Sequence, residues 1–205
     1  MTDLPAAAFL RVDESDDDQF YAWPRLVHHI DDAAQAAVTA LYRQHVPPGA
    51  DVLDLMSSWV SHLPPELALG RVAGLGMNAQ ELAANPRLTE RAVQNLNAEP
   101  ALPYDDGAFD AALCCVSVQY LTQPVRVFAE VGRVLRPGAP FVVTFSNRCF
   151  PTKAVAAWRA LDDDGHAALV AEYARQSGAF GPAEITAHRS PSGDPLIGVV
   201  VRRAG

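Results

Sequence analysis

The stretch LPYDDGAFDAALCCVSVQYLTQPVRVFAEVGRVLRPGAPFVVTFSN, Leu102 to Asn147, reads as loop, buried strand, helix, tight Pro-Gly turn and second buried strand. Phe109 to Val118 is a continuous apolar run bounded by turn residues, the pattern of a strand covered on both faces. Pro124 to Leu135 is amphipathic at helical spacing and starts with proline in its first turn. The RPGAP that follows stops it. Upstream, DVLDLMSSWVSHLP (Asp51 to Pro64) is another strand-turn unit. The distance between the two suits crossovers of one parallel sheet. Such a sheet holds its ligand crevice at the carboxyl ends of the strands, where the strand order reverses. The positions that matter are therefore the strand ends at Leu55, Gly76, Asn95 and Cys115.

At 205 residues the chain is one domain with a full core. A net charge of −8 with scattered arginines argues against a nucleic-acid groove, which wants a basic face. No apolar run approaches the roughly 20 residues of a membrane span. The start, MTDLPAAAFLRVDESDDD, lacks the basic and apolar regions of a secretory signal. Three cysteines, two of them adjacent, do not form a disulfide framework, so a reducing cytoplasm is expected. Cys114 and Cys115 sit side by side on a strand and point to opposite faces, which rules out chelation of one ion by the pair. No metal site is expected.

Residues 1–19 read as an acidic, solvated and disordered leader, and 20–205 as a single domain. From Phe20 to His45 the apolar residues recur at helical spacing. Pro24 suits the first turn of one helix and Asp31-Asp32 the start of a second. VLDLM (Val52 to Met56) is a short buried strand, with SSWVSHLPPEL a turn into a short helix. RVAGLGM (Arg71 to Met77) is the next strand, and Asn78 has N-cap chemistry for the helix after it. Ala92 to Asn95 reads as a third, short strand and Phe141 to Ser146 as the fifth. TKAVAAWRALDD and GHAALVAEYARQSG read as helices. AEITAHRS and LIGVVVRR, joined by PSGDP, have a hairpin pattern. The expected fold is α/β: a Rossmann-like three-layer sandwich whose seven-stranded sheet is mostly parallel with an antiparallel last strand.

With these residues laid out, the chain resembles the class I S-adenosylmethionine-dependent methyltransferases, in their small-molecule "type 11" branch. The resemblance rests on the LPYDDGAFD block, the helix after it, the Leu135-Arg136-Pro137-Gly138-Ala139 turn, and Val52 to Leu55 as the start of the first motif. It implies S-adenosylmethionine as cofactor, a small-molecule acceptor, and methyl transfer by in-line displacement. The chain departs from the family at three places. The usual glycine-rich continuation of VLDL is VLDLMSSWVSH here. The acidic residue that ends the second strand and holds the ribose hydroxyls aligns with Gly76, followed by Met77 and Asn78. The adenine-binding acid falls near Asn95 or Asn97.

Cofactor contacts are accordingly expected from Asp54 toward the ammonium, and from Met56, Ser57 and Ser58 toward the carboxylate. Gly76, Met77 and Asn78 fall at the ribose, and Asn95, Leu96 and Asn97 at the adenine. Cys115 and Gln119 are expected beyond the fourth strand. Tyr21, Pro24, Arg25, His28 and His29 form the expected lid. Tyr21, Arg25, Trp59, Asn147, Arg148 and Phe150 are candidate acceptor contacts by position. A base is needed only for an acceptor that arrives protonated; His28, His29, His62 and Tyr21 are the candidates. Two other readings compete. One is a non-catalytic, nucleoside-binding relative that has lost transfer. The other is a nicotinamide oxidoreductase, which the missing G-x-G-x-x-G disfavours.

Overall fold

A computed structural model describes residues 4–189 and 193–205. The elements, in order, are α1 (Asp17–Phe20), α2 (Asp32–His45), β1 (Val52–Leu55), β2 (Val72–Gly76), α3 (Ala79–Ala84), β3 (Glu90–Val93), β4 (Ala111–Cys115), α4 (Pro124–Val134), β5 (Pro140–Phe145), α5 (Ala156–Arg159), α6 (Asp163–Ser177), β6 (Glu184–His188) and β7 (Leu196–Arg202). The seven strands form one sheet in the order β3-β2-β1-β4-β5-β7-β6. β1 to β5 run parallel, and β7 is antiparallel to both β5 and β6. This is the expected Rossmann-like architecture.

Strand alternation divides the core into two layers. On one face Leu53, Leu55, Ala73, Leu75, Phe141 and Val143 meet Val127, Phe128 and Val131 of α4 and Val170 and Tyr173 of α6. On the other, Val52, Val72, Leu113, Val142 and Val200 meet Ala34, Val38, Leu41 and Tyr42 of α2. Each buried large side chain stabilises the fold by about 1.5–3 kcal/mol. Phe128 holds edge-to-face contacts with Phe141 and Tyr173 at 5.0 and 5.9 Å. Helix α2 is capped by Asp31, which accepts the Ala34 N–H at 2.9 Å. It crosses β7 closely enough that a Cβ at Gly198 would lie 2.5 Å from Leu41.

Three expectations change. No helix follows β1: residues 56–71 are irregular. Met56 and His62 take positive φ there (55° and 52°), and Pro64-Pro65 removes two backbone donors. The Ser57 N–H instead donates to Leu75 O at 2.8 Å, so the chain stays alongside β2. The expected helix at Phe20 is only the single turn of α1, and Tyr21 to Asp31 is non-helical. Over its described length, residues 4–19, the leader is largely exposed but is tied down at two points. The Asp13 N–H donates to Thr152 O, and Asp17 is 5% exposed. Smaller differences are that β3 starts at Glu90 and that the helix expected over TKAVAAWRALDD shortens to α5. The β6–β7 hairpin is present; its turn, expected at PSGDP, falls partly outside the described residues.

A cofactor crevice roofed by the N-terminal strap

The strand order reverses between β1 and β4, which are paired through Leu55 and Cys114. The residues just beyond, Met56 (φ 55°) and Val116 (φ 44°), are both left-handed. For a β-branched valine this is an outlier costing of order 1–2 kcal/mol. Hydrogen bonds hold it: the Val116 N–H donates to Thr144 O at 2.7 Å, and Gln119 Nε2 donates to Val116 O at 2.8 Å. The two chains turn apart and leave a cavity of about 390 Å³. Backbone strain of this kind collects at binding sites.

Asp54 forms the base of the crevice. Its Oδ2 accepts the hydroxyls of Ser57 (2.7 Å) and Ser61 (2.5 Å). Asn85 backs this pair by donating to Ser61 Oγ and Ser58 O. Burial raises the Asp54 pKa to about 6, and the serine hydrogen bonds oppose the rise. A Cβ added at Gly76 would lie 2.2 Å from Ser57 O. Without the turn into a helix, the loop backbone fills the space where a side chain ending β2 would stand. The acid usual at that position is therefore excluded sterically as well as absent from the sequence.

Asn78 is committed to the fold. Its Oδ1 caps α3 through the Gln80 and Glu81 N–H groups, and its Nδ2 donates to the carbonyls of Tyr21 and Ala22. Asn95 and Asn97 likewise turn toward the chain's own start: Asn95 donates to Asp18 at 3.3 Å and Asn97 to Asp17 at 3.0 Å. The three amides expected at the sugar and base thus tie down the N-terminal strap. Asp17 is its pin. It takes a two-pronged contact from Arg11 (2.6 and 2.8 Å) and lies 3.2 Å from the buried Lys153 ammonium. Burial alone would raise its pKa; Asn97, Arg11 and Lys153 outweigh that and hold it below the usual range.

The strap carries Tyr21, Arg25, His28 and His29 over the cavity. Arg25 is stacked against Phe20, Tyr21 and Phe150, and its Nη1 is buried without a partner. Trp59 Nε1 donates to Val27 O at 3.1 Å, joining strap to loop. The His28 ring lies 4.7 Å from Trp59 and 6.2 Å from His62. Burial lowers the His62 pKa to about 4 and also lowers that of His29. Both rings are neutral at pH 7. Burial pushes the Tyr21 hydroxyl far up, so it is a donor and a poor base.

Of the residues expected at the site, Met56, Ser57, Ser58, Met77, Leu96, Cys115, Arg148 and Phe150 also border the cavity. Two expected contacts fall elsewhere. Gln119 is buried behind Val116, outside the cavity lining, and Asn147 faces a shallow depression beside α6. The Cys115 thiol is pushed up to about 11 by burial, so it is no nucleophile. Sequence reasoning missed Arg11, Asp17, Lys153, Ser61, Glu81 and Asn85. Glu81 carried a signal: Asn78-x-x-Glu81 is capping-box spacing. Lys153, the chain's only lysine, carried none, since its partners lie over 130 residues away in sequence.

Comparison with known proteins supports the methyltransferase reading. Residues 57–143 match the family model described as "Methyltransferase domain". Over that stretch, somewhat under half of its length, the chain is similar to the type 11 methyltransferases. That likeness supports the class I fold and S-adenosylmethionine as cofactor. A curated relative, the biotin biosynthesis bifunctional protein BioHC of Teredinibacter turnerae, is 27% identical over 99 residues, covering 48% of this chain and 17% of that one. The chain thus matches less than a fifth of that relative's length. Among solved structures, the 1,6-didemethyltoxoflavin-N1-methyltransferase of Burkholderia thailandensis superposes with a TM-score of 0.64 at 16% identity, covering 85% of this chain and 80% of that one. The [4+2]-cyclase SpnF superposes at 0.61 with 15% identity, covering 91% of each chain. At these identities the likeness is one of fold.

The crevice fits the cofactor in place, size and charge. It lies at the switch point, falls within the ~300–1,000 Å³ of small-ligand sites, and combines apolar Leu75, Leu96 and Leu121 with Arg25, Asp54 and Ser58. Arg25, with one nitrogen unpartnered, has the charge and the free donor to hold a cofactor carboxylate. Asp54 and its serines stand where the ammonium is expected. What differs is the polar equipment at the sugar, where Gly76 and Asn78 offer nothing free.

Proposed function

We propose that the chain transfers the methyl group of S-adenosylmethionine to a small-molecule acceptor by in-line displacement, in the cytoplasm. The supporting observation is the roofed cavity at the strand switch, with the imidazoles of His28, His29 and His62 beside it. An enclosed crevice of this size suits a small acceptor rather than a macromolecular surface. Among the described residues no helix is long and apolar enough to cross a membrane.

The cofactor supplies an electrophilic methyl group, and the protein supplies positioning and dryness. Strap and loop hold the acceptor against the β1–β4 switch; effective molarity from such confinement contributes much of the rate. His62 is the favoured base. It borders the cavity, and burial keeps its ring neutral at pH 7 while weakening it as a proton acceptor. It can take a proton from an acceptor hydroxyl at one ring nitrogen, with His28 and Trp59 fixing the ring's surroundings. An acceptor that arrives as a free amine or thiolate needs no such step.

Calorimetry with S-adenosylmethionine and S-adenosylhomocysteine tests the reading, followed by donor consumption against a panel of small acceptors. Binding in the micromolar range and acceptor-dependent consumption support it. No binding at millimolar cofactor rejects it. A second reading is a relative that binds a nucleoside and does not transfer. The closed carboxylate position at Gly76 favours it, and the [4+2]-cyclase SpnF has this fold. It predicts binding with no donor consumed.

A further inference from the structure

Among the described residues three carboxylates line the crevice: Asp17, Asp54 and Glu81. Asp17 is saturated by Arg11, Lys153 and Asn97. Asp54 lies beneath the hydroxyls of Ser57 and Ser61. Glu81 differs from both. Its Oε1 accepts the Arg25 N–H at 2.7 Å and its Oε2 accepts the Ser58 hydroxyl at 2.6 Å. No lysine, arginine or histidine side chain among the described residues lies within ion-pair distance of it. A carboxylate has about four acceptor sites, so each oxygen keeps one open. Glu81 is a carboxylate at the wall of a binding cavity, outside ion-pair distance of any cation among the described residues though electrostatically coupled to His29, with both oxygens still able to accept.

Its location gives that capacity a use. In doubly wound sheets an acid near the end of the second strand accepts a ribose hydroxyl. Here that place is closed, because Ser57 O stands where a side chain at Gly76 would begin. Glu81 lies one turn farther on, in α3, and is bonded to Ser58, the residue next to the one that closes the position. We infer that Glu81 holds the sugar: its two oxygens accept the vicinal hydroxyls of the nucleoside cofactor, in place of an acid ending β2. The assignment rests on the cofactor reading above. It also couples sugar binding to the strap, since the same carboxylate carries Arg25's backbone.

The test is calorimetric binding of S-adenosylhomocysteine and its 2′-deoxy and 3′-deoxy analogues to wild type, Glu81→Gln and Glu81→Asp. Hydrogen bonds to a charged acceptor predict that each deoxy analogue binds wild type about tenfold or more weakly. Glu81→Gln should lose about tenfold to a hundredfold for the parent nucleoside, and its remaining deoxy penalty should fall below about threefold. Glu81→Asp keeps the charge and should lie between. Ligand-free thermal melts of each variant separate a lost contact from a lost fold. An undiminished deoxy penalty in Glu81→Gln overturns the assignment and leaves the cofactor reading standing. Failure of wild type to bind the parent compound overturns the cofactor reading, and this assignment with it.

Discussion

The two crossovers beside the strand switch are built differently. From β4 to β5 the chain follows the ordinary recipe: a proline-started amphipathic helix, an aromatic contact to the sheet through Phe128, and an Arg-Pro-Gly-Ala stop. From β1 to β2 it forms no helix, carries Met56 and His62 at positive φ, and spends its polar side chains on neighbours. The regular crossover carries stability. The irregular one shapes the cavity, supplies Trp59 and His62, and displaces the acid expected at the end of β2. Local irregularity marks where binding has been put.

Substitutions can break or sharpen that contrast. The largest effect belongs to the regular side: Phe128→Ala should cost about 3–5 kcal/mol in denaturant unfolding while a still-folded fraction keeps its ligand affinity. Parallel losses of stability and affinity would erase the distinction. Asp17→Asn leaves the buried Lys153 without its closest carboxylate and should cost about 3 kcal/mol. Here the strap should loosen before the sheet, read as early hydrogen exchange over residues 11–29. Gly76→Asp restores the acid usual in the family but drives a Cβ into Ser57 O. It should lose about 2 kcal/mol and gain no nucleoside affinity; tighter binding would show that the loop yields easily.

The smallest effect is a pH slope. His62 has a folded pKa of about 4 against an ordinary 6.5, so its contribution is present above pH 6.5 and is lost as pH falls toward 4. Asp54 runs oppositely: raised to about 6, its contribution is present below 3.8 and is lost as pH rises through 6. Comparing His62→Gln with wild type cancels the Asp54 part. Between pH 7 and 5.5 the wild type should lose about 1 kcal/mol more than the variant. Equal slopes would place His62 in open solvent.

The regular crossover was legible because short-range rules decide it: period, proline, glycine. The same rules placed the strands and the terminal antiparallel pair, and the resemblance placed the crevice. They failed where long-range partners decide. SSWVSHLPPEL has ordinary helix-turn composition, yet pairing of Ser57 with β2 and the positive φ of Met56 and His62 override it. The acidic start reads as solvated, and most of it is; what the sequence hides is that Arg11 and Lys153 meet Asp17. Asn78, Asn95 and Asn97 were placed at the right strand ends, but their partners are the strap. Sequence position put these amides beside the crevice and misplaced Gln119 and Asn147; it could not show that the amides were already engaged.

Lys153 is the only side-chain amine in the protein, and it is sealed under the strap with its ammonium against Ser15 O. An acylating reagent reaches it only in molecules whose N-terminal segment has lifted. The pace of its labelling, followed by mass spectrometry with and without a bound nucleoside, is thus a built-in clock for opening of the roof, requiring no engineered probe.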